Sequence, residues 1–179
     1  MNKILHSKTF GEGKPLIILH GLFGMLDNWQ TLAKEFACFF ETHILDLRNH
    51  GRSFHTNQHN YELMCEDLLK YLNAYKLDEV SLIGHSMGGK AAMTFACMYP
   101  ERIKKLVVVD IAPKYYPPHH QEILSALNAV EQAKIKSRKD ADQILSQYFS
   151  ESTMRQFLLK NLYWKSSTEL TFKFNLKGL

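Results

Sequence analysis

The stretch Val80-Ser81-Leu82-Ile83-Gly84-His85-Ser86-Met87-Gly88-Gly89-Lys90 decides the fold of this chain. Residues 80–83 form a short apolar run that reads as a strand. Residues 90–99 read as a small-residue helix, which Pro100 stops. Between them lies Gly84-His85-Ser86-Met87-Gly88, a turn with a serine at its apex. So abrupt a change from strand to helix favours small residues, glycine above all, on either side of the serine. The serine backbone is forced toward positive φ, and its hydroxyl projects from the top of a sheet. It then lies beside a helix N-terminus, where backbone N–H groups favour negative charge.

Working outward, Leu16-Ile17-Ile18-Leu19 and Leu106-Val107-Val108-Val109 are continuous apolar runs, as in strands covered on both faces. Residues 42–47 read as a further strand, and residues 4–10 as an edge strand before a glycine-containing turn at 11–15. Helices fall between them, over 28–39 and over 61–77. In the second, Tyr61, Cys65, Leu68, Leu72 and Tyr75 recur at helical spacing. Strands alternating with helices from 16 to 113 predict an α/β fold: a parallel sheet with helices on both faces and right-handed connections. Beyond Pro118 the rhythm changes. Residues 119–134, 137–149 and 151–163 read as successive helices, a cap over the sheet edge, and 168–176 alternates like a strand. The expected organisation is a core over 1–118 and a helical cap with its tail over 119–179.

A chain of 179 residues, 45% of them hydrophobic, is long enough for one domain with a sizeable core. A net charge of +4 without a dense Lys/Arg block argues against nucleic acid or a membrane surface as partner. No apolar run reaches signal-peptide or membrane-spanning length. Three cysteines, Cys38, Cys65 and Cys97, give an odd count without a Cys-x-x-Cys. Buried free thiols in a reducing, cytoplasmic compartment are expected.

Ligands of parallel α/β sheets gather at the carboxyl ends of the strands. His20-Gly21, Asp46, residues 84–88 and Asp110 all fall there. Ser86 is the candidate nucleophile. Transfer of an acyl group to it builds negative charge on the former carbonyl oxygen, which needs two backbone donors. The Met87 N–H is one. The other comes from His20-Gly21-Leu22-Phe23-Gly24, with Leu22 the first choice and Phe23 the second; both side chains also suit an acyl pocket. Asp110 ends the strand beside the nucleophile strand, where a carboxylate orients a histidine. His85 reads as a packing residue. In the polar loop 46–53, Arg48 is expected to pair with a carboxylate and fix the loop's shape. His119 and His120 read as solvated, and no spacing of ligands suggests a metal.

Together these stretches, with Leu26-Asp27-Asn28, Asp46-Leu47-Arg48-Asn49-His50-Gly51, Asp110-Ile111-Ala112-Pro113, residues 156–160 and residues 174–176, resemble the α/β-hydrolase superfamily. The likeness is closest to the YbfF-type bacterial esterases. The resemblance implies Ser86 as nucleophile, Asp110 as triad acid, oxyanion donors at Leu22 and Met87, no cofactor, and a small acyl ester or thioester of short to medium chain as substrate. It further implies a catalytic histidine late in the chain, after the acid. The only histidines after Asp110 are His119 and His120. The expectation is therefore a chain cut short within that scheme, impaired in catalysis or serving as a non-catalytic module. The strand at 106–109 would be left as an apolar edge open to self-association. Perhydrolysis and C–C bond hydrolysis stand as further alternatives on the same fold.

Overall fold

A computed structural model describes residues 3–117 and 120–179. Strand β1 (Ser7–Phe10) leads into β2 (Pro15–Leu19), helix α1 (Gln30–Phe36), β3 (Glu41–Leu45) and α2 (Tyr61–Ala74). Then follow β4 (Val80–His85), α3 (Met87–Met98) and β5 (Ile103–Val109). The five strands form one sheet in the order β1-β3-β2-β4-β5. All neighbours are parallel except β1, which runs antiparallel to β3. The sheet is thus mainly parallel with one reversed edge.

Alternation along each strand explains the layers, because successive side chains point to opposite faces. Ile17, Leu19 and Leu82 pack with Met64, Leu68 and Leu72 of α2 and with Ala92 and Phe95 of α3. Leu16, Ile18 and Ile44 turn the other way, onto Leu26 and Ala33 of the α1 side. Burial of each such large side chain contributes roughly 1.5–3 kcal/mol. Asn60 caps α2, its side chain accepting from the Leu63 N–H at 2.8 Å.

Helices α4 (Gln121–Gln132), α5 (Arg138–Leu145) and α6 (Ser152–Leu159) follow, then a hairpin of β6 (Leu162–Trp164) and β7 (Leu170–Phe172). They share a core of their own, in which Leu127, Val130, Leu145, Leu158, Phe172 and Phe174 meet Phe23 from the main body. The expected core–cap boundary at 118/119 falls outside the described residues, as does His119.

Several expectations need correction. The helix expected over 28–39 is a 3-10 turn at Leu26–Asn28 followed by the shorter α1. The helix expected over 151–163 ends at Leu159, and residues 162–164 form a strand instead. Leu162 and Phe172 are paired and buried across the hairpin, so tertiary pairing overrides helical continuation. The strand expected over 168–176 is confined to the shorter β7, which pairs with β6. Of the three thiols only Cys65 is buried; Cys38 and Cys97 are exposed.

Candidate active site

Ser86 sits at φ 51°, ψ −117°, between the last residue of β4 and the first of α3. Few non-glycine residues adopt positive φ, and the bend is held from outside: the Ser86 N–H donates to the Val109 carbonyl at the end of β5, at 3.0 Å. The flanking glycines are sterically required. A Cβ on Gly84 would lie 2.3 Å from the Gly88 carbonyl oxygen, and one on Gly88 would lie 2.5 Å from that of His20. Helix α3 therefore begins directly against the strand ends. The amides of its first turn have no partner within the helix, and Met87 N–H is the first of them.

The second wall is the turn after β2, closed by the Gly24 N–H to the Gly21 carbonyl at 3.0 Å. Gly21 runs so close to the elbow that a Cβ there would lie 3.2 Å from the Ser86 Cβ. Phe23, at φ 57°, is buried, and its N–H donates to His50 Nε2 at 3.2 Å. That bond removes Phe23 as an oxyanion donor. Among the described residues the Leu22 N–H has no hydrogen-bond partner.

Two cavities meet at Ser86. One, of about 480 Å³, is lined by Leu22, Phe23, Trp29, Ile123, Met154 and Phe157, so cap and core both contribute apolar walls. The other, of about 530 Å³, is more polar and takes in Met87, His59, Tyr61, Lys90, Asp110 and Tyr116. His120 borders both, which corrects its reading as a merely solvated residue. Asp110 (φ 55°) sits just past the end of β5 on the second cavity. Its carboxylate is 86% exposed and lies 3.8 Å from His85 Nε2.

The histidines of the polar loops are committed elsewhere. His20 Nε2 accepts from the Leu47 N–H at 3.0 Å, so its proton is on Nδ1, 2.8 Å from the Gly21 carbonyl. His50 follows the same pattern: Nε2 accepts from Phe23, and Nδ1 donates to the Arg48 carbonyl at 2.9 Å. Burial lowers the pKa of both below the ordinary imidazole value, and His50 well below. Burial, then the Arg48 charge, lowers His59 to about 4. Arg48 pairs with buried Asp67 at 2.6 Å, as expected of a structural residue. Asp46 braces the same loop by accepting from the Leu26 N–H at 2.7 Å and the Arg52 N–H at 2.9 Å. Among the described residues no side chain is hydrogen-bonded to Ser86 Oγ, and no group of ligands could hold a metal ion.

One site residue escaped the sequence reading. Asn161, buried just after α6, donates from Nδ2 to the Phe23 carbonyl at 2.8 Å. Its only local signal is an amide set among the apolar positions Phe157, Leu158, Leu159 and Leu162.

Comparison with known proteins bears on the family and the fold. The family described as alpha/beta hydrolase fold matches residues 14–134. The Escherichia coli (strain K12) esterase YbfF is 42% identical over 84% of this chain and 59% of its own length. The mouse (Mus musculus) sn-1-specific diacylglycerol lipase ABHD11 is 42% identical over 82% of this chain and 50% of its own. A solved structure of a marine microorganism esterase, 41% identical, superposes with a TM-score of 0.95 over 99% of this chain and 70% of that one. The chain thus spans between half and three fifths of the length of these two curated relatives. Among the described residues no helix is long and apolar enough to cross a membrane.

Proposed function

Because the chain belongs to the alpha/beta hydrolase fold family, we propose that its site cleaves acyl esters of short to medium chain, or the corresponding thioesters, through an acyl-serine intermediate. The observation that carries the reading is Ser86 at its strained bend, facing both cavities at the start of α3. The Ser86 oxygen attacks the ester carbonyl carbon, and the carbonyl π pair moves to oxygen. Leu22 and Met87 N–H groups receive that oxyanion. Collapse breaks the bond to the leaving alcohol, which takes up the proton released by the serine. Water then frees the acid and restores Ser86. The apolar cavity under the cap suits the acyl chain, and the polar one the leaving group. Asp110 is the acid that would orient a base. His20 and His50 are not that base, since both ring nitrogens of each are occupied.

A fluorophosphonate probe tests the reading. A single adduct by intact mass, lost in Ser86→Ala, is the expected result; folded protein that stays unmodified would refute it. That no described side chain is bonded to Ser86 Oγ favours one other reading, acyl-ligand binding without turnover. Phosphonylation with no release of p-nitrophenol from p-nitrophenyl butyrate would identify it.

A further inference from the structure

Phe23 is held on three sides. Its N–H is taken by His50 from the polar loop after β3, and its carbonyl by Asn161 from the end of α6, 138 residues away in sequence. Its ring packs against Phe174 at 5.3 Å between centroids, and Phe174 in turn stacks on Phe172 at 4.8 Å. An aromatic residue does not rest at positive φ unless its surroundings determine it. Three separate segments of the chain provide those surroundings. Asn161 is 1% exposed and spends its amide N–H on this carbonyl, while its Oδ1 has no partner among the described residues. An apolar residue there would forfeit no bond to the oxygen, so the donated bond to Phe23 is what this side chain adds.

We propose that His50 and Asn161 are positioning residues which grip the two backbone polar groups of Phe23 and thereby fix the preceding amide, that of Leu22, as an oxyanion donor. The inference rests on the reading of Ser86 as an acyl-accepting nucleophile. Two successive amides of the turn divide their work. The Phe23 N–H anchors the turn to the core, and the Leu22 N–H, with the bond from the Gly24 N–H to the Gly21 carbonyl closing the turn around it, stays available in a residue that lines both cavities. A donor that drifts by about 1 Å from the oxyanion loses most of its effect on rate. Burial keeps His50 neutral, so its Nε2 remains an acceptor for the Phe23 amide. Because Asn161 and Phe174 belong to the cap, the cap does more than wall the acyl cavity: its docking sets the geometry of the chemistry.

The test compares Asn161→Leu, His50→Leu and His50→Gln with the unaltered chain, each checked for a cooperative unfolding transition. The rate of Ser86 phosphonylation is separated into probe affinity and maximal rate, and backbone amide exchange is followed at Leu22 and Phe23 by NMR. Asn161→Leu and His50→Leu should lower the maximal rate about 10- to 100-fold at unchanged affinity. They should also speed exchange of the Phe23 N–H at least about tenfold. His50→Gln, whose Oε1 can accept in place of Nε2, should recover most of both. Maximal rates within about twofold of the unaltered chain in folded Asn161→Leu overturn the proposal. If His50→Leu does not fold, Asn161→Leu and His50→Gln decide. Should the unaltered chain resist the probe, the nucleophile reading fails on its own. Phe23 exchange then decides the grip: faster exchange in Asn161→Leu sustains it, and unchanged exchange removes it.

Discussion

Replacing Ser86 by glycine should make the protein more stable than replacing it by alanine. Both substitutions delete the hydroxyl, so the pair isolates the backbone. At φ 51°, ψ −117° a residue with a Cβ bears a conformational cost of roughly 1–3 kcal/mol, which glycine escapes. Against that stands the greater freedom of glycine in the unfolded chain, about 0.4–1 kcal/mol. The difference leaves Ser86→Gly ahead by roughly 0–2.6 kcal/mol, centred on about 1.3, which for a domain of this size raises the thermal midpoint by about 3–5 °C at the centre of that range. Elsewhere in a helix–strand protein the same Ala-to-Gly change lowers stability, so the sign alone is diagnostic. Urea titrations of the two variants at one pH, with equal m-values, measure it. An alanine variant as stable as the glycine variant, or more so, would show that the elbow stores no strain, and the argument for an imposed nucleophile geometry would go with it.

Three other outcomes follow from the structure. Arg48→Met strands the Asp67 carboxylate, 4% exposed, without its 2.6 Å partner and should cost about 3–5 kcal/mol in urea; adding Asp67→Leu should recover much of the loss, and a single-variant cost below about 1 kcal/mol contradicts the buried pair. Stability should fall with acidification between about pH 6.5 and 4: folded His59 has its pKa lowered from 6.5 to about 4, so in this window the unfolded chain binds more protons, whereas above it these groups leave stability level. Burial shifts His20 and His50 in the same direction, and a urea midpoint at pH 5 equal to that at pH 7.5 would oppose all three. Strand β5 pairs only with β4 among the described strands and leaves Leu106 36% and Val107 50% exposed. Self-association through this edge should weaken in Val107→Lys, read by sedimentation velocity; a concentration-independent monomer in the unaltered chain speaks against it.

Much of the core was legible because its determinants are local. A strand buried on both faces must be apolar throughout, and Leu16 to Leu19 is. The tight bend at Ser86 needs Gly84 and Gly88 within four residues of one another, and a reader of the sequence sees both. Arg48 could be assigned a carboxylate from its surroundings, though not Asp67 in particular. What escaped depends on contacts that no local pattern encodes. Leu162 to Trp164 continues a helical run in sequence and becomes a strand only because Leu170 to Phe172 lies alongside. Asn161 gains its role from a bond to Phe23, and Asn49 from three bonds to Thr56 and Asn175, of which two reach the far end of the chain. Polar residues buried by tertiary structure look, in sequence, like any residue at a helix end or loop.

Phe23, Ser86 and Asp110 are all non-glycine residues at positive φ; Ser86 and Asp110 directly follow the adjacent strands β4 and β5, and Phe23 lies in the turn after β2, the neighbour of β4. Strained residues persist only where surrounding structure determines them, and the three differ in how firmly it does. Phe23 is gripped at both backbone groups and around its ring; Ser86 is tied to Val109 and backed by glycine on both sides. Asp110 has an exposed carboxylate and a contact of 3.8 Å to His85, an arrangement worth little in water. Aspartate tolerates the left-handed region better than phenylalanine or serine does, and asparagine tolerates it as well as aspartate. The rigid part of the site is therefore the pair formed by the elbow and the turn after β2, while Asp110 is set beside them by β5 alone. Substitution at Asp110 consequently reports on the chemistry of the site with little confusion from folding, whereas every substitution at Phe23 must be read against the turn it holds in place.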